Sequence, residues 1–417
     1  MRQLYVYADF NWFPKAELVG VLSYERVRGS DTYGFEYDKT WFANHSDILL
    51  SGDLHNFLGW QYTEKSIFGC FTDALPDRWG RTLAERREQI EASEENRLPR
   101  ILSSYDYLMS IDDFSRMGAF RFKETDNGPF INDSAGLRIP PLTSVRELAH
   151  AAQEIERSEN DNELPEKKWI LQLLSPGTSL GGARPKASVT DENGQLLIAK
   201  FPSRMDMYDV SLWEHFCHKL AVKAGVNAAE TTVITTGGKY HVLLSRRFDR
   251  DGNGRRIHFA SAMNLLGFED GDGAKTGKGY IDMVDFILQY GGRVAADLKE
   301  LYRRVAFNMC VGNCDDHFRN HGFLLTPKGW ILAPAYDMNP SLSMEHCLMT
   351  TDASYVSNLK VLYKAHLAYM LEEADARQII NEVCTAVKGW RDIAHSLQIS
   401  RMETALFEKR LDMMWDG

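Results

Sequence analysis

The segment Gly312-Asn313-Cys314-Asp315-Asp316-His317-Phe318-Arg319-Asn320 constrains this chain most, together with Ala335-Tyr336-Asp337 further on. Four residues separate Asp315 from Asn320, and Asp337 follows a short strand-turn-strand stretch. Two carboxylates and an amide oxygen are hard donors of the kind that hold Mg²⁺. They act together only in a fold that brings side chains far apart in the linear order to one site.

Protein kinases space a catalytic-loop aspartate, a metal-binding asparagine and a second metal-binding aspartate in this way. Only Asp315 has the required spacing to Asn320. It is therefore assigned the catalytic role: it positions the attacking hydroxyl and accepts its proton late. Asn320 and Asp337 are assigned to Mg²⁺, held against the triphosphate of ATP. Arg319 can neutralise the transferring phosphate, the alternative being a surface arginine. His317 is placed at the nucleotide site, where it buttresses the loop by hydrogen bonding.

The candidate phosphate loop is Ser179-Leu180-Gly181-Gly182-Ala183-Arg184-Pro185-Lys186. Its glycines let backbone N–H groups approach phosphate oxygens, and Lys186 adds charge. Ser179, Gly181, Gly182, Ala183, Arg184 and Lys186 are the expected contacts. A plain turn would use the same residues. Lys200 ends the hydrophobic run Leu196-Leu197-Ile198-Ala199. A charge there is costly unless paired or bound to ligand, and a kinase uses such a lysine on the α- and β-phosphates. An edge-strand lysine that blocks aggregation is the alternative. Glu214 either pairs with Lys200 or is a solvated helix charge. The run from Leu243 to Phe248 takes the place of a hinge, and backbone groups about Arg246 and Phe248 would read adenine.

The rest of the chain narrows the class. A chain of 417 residues exceeds one ordinary core, and its 44% hydrophobic content is ample to build two or three. A net charge of -10 argues against wide contact with nucleic-acid phosphates or an anionic membrane. DNA contact through a basic partner stays compatible with it. The 6 cysteines are scattered without a CxxC pair, which fits a reducing cytosol. No apolar run reaches membrane-span length, and a soluble, cytoplasmic protein is expected. Cys310, Cys314, His317 and His321 cluster, but not at common zinc spacings. Asp249-Arg250-Asp251-Gly252-Asn253-Gly254 starts like a Ca²⁺ loop but has Ala260 at its twelfth position, so a polar turn is expected.

Strands are expected within 4–37, helices over 76–94 and 143–155, and a hairpin from 187 to 200. Further helices are expected over 211–224, 295–311 and 372–390. The predicted fold class is α+β, bilobal and protein-kinase-like. It has a β-rich N-lobe and a helical C-lobe, preceded by a β/α accessory module.

With these motifs assembled, the chain resembles the HipA family of toxin serine/threonine kinases. The resemblance rests on 179–186, Ile198-Ala199-Lys200-Phe201-Pro202, Arg247-Phe248-Asp249-Arg250, 312–320 and Tyr336-Asp337. At the front it rests on Ala74-Leu75-Pro76-Asp77-Arg78-Trp79-Gly80-Arg81 and Ser115-Arg116-Met117-Gly118-Ala119. It implies an accessory module over 1–125, an N-lobe over 135–248 and a C-lobe over 249–417. It also implies transfer of the ATP γ-phosphate to a Ser/Thr of a translation-related protein, such as an aminoacyl-tRNA synthetase, with growth arrest. A HipB-like helix-turn-helix antitoxin would neutralise the kinase and carry it to operator DNA. Ser179 matches the family's autophosphorylated serine, with Thr178 and Ser175 nearby. Arg184 and Arg319 depart from the glutamine and lysine common at those positions. Two other readings share these residues: a small-molecule kinase of aminoglycoside or choline type, which predicts an acidic pocket, and a catalytically silent co-repressor.

Overall fold

The computed structural model describes residues 1–133, 139–161, 163–174, 182, 184–343, 345–351 and 358–412. They form two compact units, Met1–Asp206 with Leu244–Ala260, and Met207–Leu243 with Ser261–Gly417.

The first unit opens on β1 (Arg2–Ala8), β2 (Glu17–Val27) and β3 (Ser30–Tyr37). Next come α1 (Lys39–His45), β4 (Gln61–Thr63), α2 (Gly69–Thr72), α3 (Arg78–Glu94), α4 (Ser104–Ser110) and β5 (Phe120–Lys123). The strands make one antiparallel sheet in the order β4-β3-β2-β1-β5. Alternation along β1 sends Leu4, Val6 and Ala8 into the core, where Phe122 and Phe120 of β5 stand opposite the last two. Phe10, Phe35, Phe68 and Phe71 complete that apolar layer.

The helix expected from 76 begins at Arg78 because Asp77 caps it, its carboxylate accepting from the Gly80 N–H. The helix expected over 143–155 runs as α5 (Val145–Asn160), entered through a 3₁₀ turn at Leu142–Ser144. It packs with α6 (Lys167–Leu174), which also lies against α3. β6 (Lys186–Thr190) and β7 (Leu196–Lys200) form the expected hairpin, registered from Lys186 opposite Lys200 to Thr190 opposite Leu196. Asp191 closes its turn by accepting from the N–H groups of Asn193 and Gln195.

The returning segment Leu244–Ala260 joins this unit through buried charge. Asp249, fully buried, accepts from Arg247 Nε (2.8 Å), Arg250 Nη1 (2.6 Å) and the Gly118 N–H (2.9 Å). These partners hold its carboxyl well below the usual range against the opposing push of burial. Arg256 meets Asp113 at 3.1 Å, and buried Arg116 donates to the carbonyls of Leu108 and Ile111. The calcium-like stretch is the expected polar turn, with Asp251 Oδ1 accepting from the N–H groups of Asn253 and Arg255.

The second unit holds α7 (Val210–Lys223) and β8 (Thr231–Ile234). The chain leaves it along β9 (Val242–Arg246) and returns along β10 (Phe259–Ser261). Then follow α8 (Ala262–Leu265), α9 (Tyr280–Tyr290), α10 (Val294–Val311), β11 (Gly322–Thr326) and β12 (Gly329–Leu332). α11 (Leu359–Lys364), α12 (Glu373–Lys388), α13 (Trp390–Ser396) and α14 (Arg401–Leu411) complete it. α10 is the spine. It buries Leu298, Leu301, Tyr302, Val305 and Phe307, and α9, α11, α12 and α14 pack around it. The helix expected over 372–390 divides at Gly389, where α12 stops and α13 begins.

Candidate active site

α10 stops where its C-terminal cap, Gly312, takes a left-handed φ of +71°. A side chain there would collide with Arg410, since a Cβ would lie 2.1 Å from Nε. The chain then turns into the loop that carries Asp315.

Asp315 and Asp316 have opposite environments. Asp316 is buried and accepts from Tyr280 Oη (2.5 Å), Asn308 Nδ2 (2.6 Å) and His321 Nε2 (3.0 Å). Burial raises its pKa, but the charge and hydrogen bond of His321 and the hydroxyl of Tyr280 hold it below the ordinary carboxylate value. Asn308 also receives Asn313 Nδ2 on its own carbonyl oxygen at 3.1 Å. One buried carboxylate thus fixes the loop from both sides. Asp315 is exposed, and Asn320 Nδ2 donates to its backbone carbonyl at 2.9 Å. The residue chosen from spacing is the one whose carboxylate faces solvent, while its neighbour is scaffold.

Hydrogen bonds tie this loop to the segment that follows β12. Tyr336 Oη donates to the Arg319 carbonyl (2.7 Å), Ser341 N–H to Gly312 O (2.9 Å), and Cys347 N–H to Cys314 O (3.1 Å). Asp337 sits inside that segment with φ of +56°, a conformation uncommon for a residue other than glycine. The residue before Tyr336 is pinned as well, with the Ala335 N–H donating to Asn227 O and the Ala229 N–H to Ala335 O. The structure therefore brings Asp315, Asn320 and Asp337 onto adjoining segments of one unit.

A cleft of about 620 Å³ opens beside Asp315. His317, Arg319, Glu269, Asp270, Asp272 and Glu345 are among its lining residues. Arg319 is ion-paired with Asp270. The His317 backbone N–H donates to Asp315 O (3.1 Å), while its ring Nδ1 is buried with no partner among the described residues. The zinc-like cluster disperses: Cys310 packs on Cys384, Cys314 donates to Ser343 O, and His321 binds Asp316.

The residues expected at the nucleotide belong to the first unit, except His317, which lies in the second. Ser179, Gly181 and Ala183, with Ser175 and Thr178, lie outside the described residues. Gly182 has φ of +112°, open to glycine alone at no cost. Arg184 forks onto the Asp206 carboxylate, with Nη1 at 2.9 Å from Oδ1. Lys186 pairs with Asp77 at 2.9 Å. Lys200 ends β7, Arg246 is exposed at the end of β9, and Phe248 packs on Phe259. In the second unit, Glu214 is buried within α7.

By type, two carboxylates and an amide oxygen are the hard donors a divalent cation takes. Asn320 Nδ2 is committed to the loop backbone, which leaves its Oδ1 as the donor oxygen. Asn339 Oδ1, two residues past Asp337, is buried without a hydrogen-bond partner among the described residues. The sequence reading missed Asn339. It also missed the Tyr280-Asn308-Asn313-His321 support around Asp316, because buried polar networks follow tertiary contacts rather than spacing.

The HipA-like C-terminal domain family matches residues 178–390, half of the chain. The chain belongs to the HipA family. The family's N-terminal domain matches residues 12–103, the part that carries β2, β3 and α3. The serine/threonine-protein kinase toxin HipA of Shewanella oneidensis is 24% identical over 225 residues, which cover 48% of this chain and 50% of that protein. Y4mE of Sinorhizobium fredii is 28% identical over 196 residues, covering 42% and 45%. The chain spans about half the length of these relatives. The HipA chain in a Shewanella oneidensis complex of HipA, HipB and operator DNA superposes with a TM-score of 0.69 at 18% identity. That superposition covers 98% of this chain and 95% of the other, and shows that the HipA kinase fold, an α+β architecture, is common to both. Among the described residues no helix is long and apolar enough to cross a membrane.

Proposed function

We propose that this HipA-family chain is an ATP- and Mg²⁺-dependent serine/threonine protein kinase, the toxin of a toxin–antitoxin pair. One observation carries the reading: an exposed Asp315, set by a buried Asp316 hub, on a loop hydrogen-bonded to the segment of Asp337. In this reading Asp315 orients the acceptor hydroxyl and takes its proton as the phosphoryl group departs. Arg319 exchanges Asp270 for the transferring phosphate. Asn320 and Asp337, joined by the Asn339 carbonyl oxygen, hold Mg²⁺. Lys200 and the loop from Ser179 to Lys186 hold the ATP phosphates, and the backbone about Arg246 and Phe248 reads adenine. Bound Mg²⁺–ATP supplies the phosphoryl group and screens the charge that develops on it.

Residues 1–125 act as the accessory module, 135–248 as the N-lobe and 249–417 as the C-lobe. The substrate is a Ser/Thr of a translation-related protein, and an aminoacyl-tRNA synthetase is the first candidate. The partner is a HipB-like antitoxin, through which any DNA contact is made. Phosphorylation of Ser179 shuts off nucleotide binding by adding like charge to the phosphate loop.

The test expresses wild type and Asp315→Asn side by side and compares phosphopeptides and growth. The wild type is expected to slow growth and add phosphate to defined Ser/Thr sites. The variant is expected to do neither. Equal toxicity and equal ATP consumption would reject phosphoryl transfer. The acidic rim of the cleft, with Glu269, Asp272 and Glu345, favours a second reading as a kinase of cationic small molecules. Phosphate transfer to aminoglycosides or choline rather than to lysate protein would establish it.

A further inference from the structure

Arg304 lies in α10 with its side chain only 3% exposed. A guanidinium keeps its charge at any physiological pH, so at this depth it needs partners. Its Nε meets Glu300 Oε1 at 2.7 Å, one turn back on the same helix. Its Nη2 donates to the Ala333 carbonyl at 2.7 Å and reaches the Asn227 carbonyl at 3.4 Å. Glu300 Oε1 also accepts the Asn227 N–H at 3.1 Å. The ion pair thus grips Asn227 by both backbone groups and Ala333 by its carbonyl.

Both gripped residues lead to Asp337. The Asn227 carbonyl accepts the Ala335 N–H at 2.8 Å, and Ala335 O accepts the Ala229 N–H at 2.9 Å. Between Ala333 and Ala335, Pro334 fixes its own φ. Just upstream, Asp297 Oδ2 accepts the Leu332 N–H at 3.2 Å. Asp297, Glu300 and Arg304 are spaced by three and four, so one face of α10 holds the approach to Asp337. Asn308, the next step of four, holds Asp316 of the neighbouring loop. Asp337 itself has φ of +56°, and such a backbone persists only where its surroundings over-determine it. Apolar residues in place of a buried ion pair are often as stable or more so, so stability alone does not account for Arg304.

We infer that Arg304 is a positioning residue of the metal site: through the Ala333 and Asn227 carbonyls it fixes the backbone that carries Asp337, so that the carboxylate is set in place before Mg²⁺ arrives. One face of α10 thereby seats both the Asp337 segment and the Asp315 loop. This rests on the kinase reading above.

Calorimetry on the full chain measures binding of a non-hydrolysable ATP analogue with Mg²⁺, and again in EDTA. The ratio of the two affinities isolates the contribution of the metal site. Arg304→Met keeps the apolar stem and removes the donors. Arg304→Met combined with Glu300→Gln also removes the counter-charge and keeps an acceptor for the Asn227 N–H. Circular dichroism and thermal unfolding check that both are folded. In each, the gain from Mg²⁺ is expected to fall roughly tenfold, the scale for loss of a group that orients a metal ligand. Affinity in EDTA is expected not to change, whereas general damage to the fold would lower it as well. An unchanged gain in a folded variant, or an equal loss in EDTA, overturns the inference. Where neither variant folds, hydrogen exchange of the wild type decides. The Ala335 amide should then exchange only through global unfolding, and rapid exchange there overturns the inference. Asp337→Asn separates the two ideas, because it should abolish the gain outright. A gain lost in Asp337→Asn but kept in Arg304→Met sinks this inference alone. A gain that survives Asp337→Asn, or is absent from the wild type, overturns the metal assignment of the kinase reading and this inference with it.

Discussion

At the scale of single residues, adjacent aspartates differ in burial: Asp316 is scaffold, and exposed Asp315 carries the proposed chemistry. Asp315→Asn is expected to lower turnover by several powers of ten, about 4 kcal/mol or more, with little change in melting temperature. Asp316→Asn should do the reverse in kind. It leaves Tyr280, Asn308 and His321 around an uncharged amide, so urea unfolding is expected to show a loss of about 3 kcal/mol. Because the folded pKa of Asp316 is depressed, its stabilisation is present above the ordinary carboxylate value and disappears as pH falls through the folded one. His258 gives linkage of the same sign from a different cause, burial of a neutral imidazole. Burial lowers its pKa to about 3, so the fold keeps it neutral while the unfolded chain protonates it near its usual value. Stability should therefore drop as pH falls below about 6.5, by about 2 kcal/mol between pH 7 and pH 5. Urea titrations across that range measure it, and His258→Gln should flatten the slope.

At the scale of elements, the end of α10 decides where the reactive loop begins. Gly312→Ala forces a side chain into a left-handed backbone and against Arg410. The expected loss is about 2 kcal/mol in chemical denaturation, with reduced turnover because the loop start shifts. Adding Arg410→Ala should return part of that stability by removing the collision, leaving the backbone strain. Such elements were the most legible in the sequence. The apolar period of α10, the glycine after it and the D-x₄-N spacing are all local signals. So was the β6–β7 hairpin, announced by its Asp-Glu-Asn-Gly turn. What stayed hidden depended on side chains meeting from distant segments. The Asp77–Lys186 pair, the Asp316 hub and the Asp249 cluster have no periodicity to betray them. Most helix ends differ by a residue or two, because Asp77 caps α3 rather than entering it and Gly389 divides α12 from α13, while α5 runs five residues past its expected end.

At the scale of the whole molecule, nucleotide binding should appear as stability. A non-hydrolysable ATP analogue with Mg²⁺ at 100 times its dissociation constant is expected to add about 2.7 kcal/mol. Differential scanning calorimetry measures the gain, and EDTA should remove most of it if Asn320 and Asp337 hold the ion. The net charge of -10 gives a second expectation. Association with a basic antitoxin should slow as salt rises, while the dissociation rate changes less, which stopped-flow mixing at graded ionic strength measures.

The return of Leu244–Ala260 to the first unit has a consequence for synthesis. When a ribosome has released residues up to 206, every strand of the five-stranded sheet exists, yet Asp249 and the arginines beside it have not been made. Asp113, paired with Arg121, then lacks Arg256, and the Gly118 N–H lacks Asp249, until translation has run on through α7. Fragments that end early are therefore left without the buried ion pairs that complete the unit.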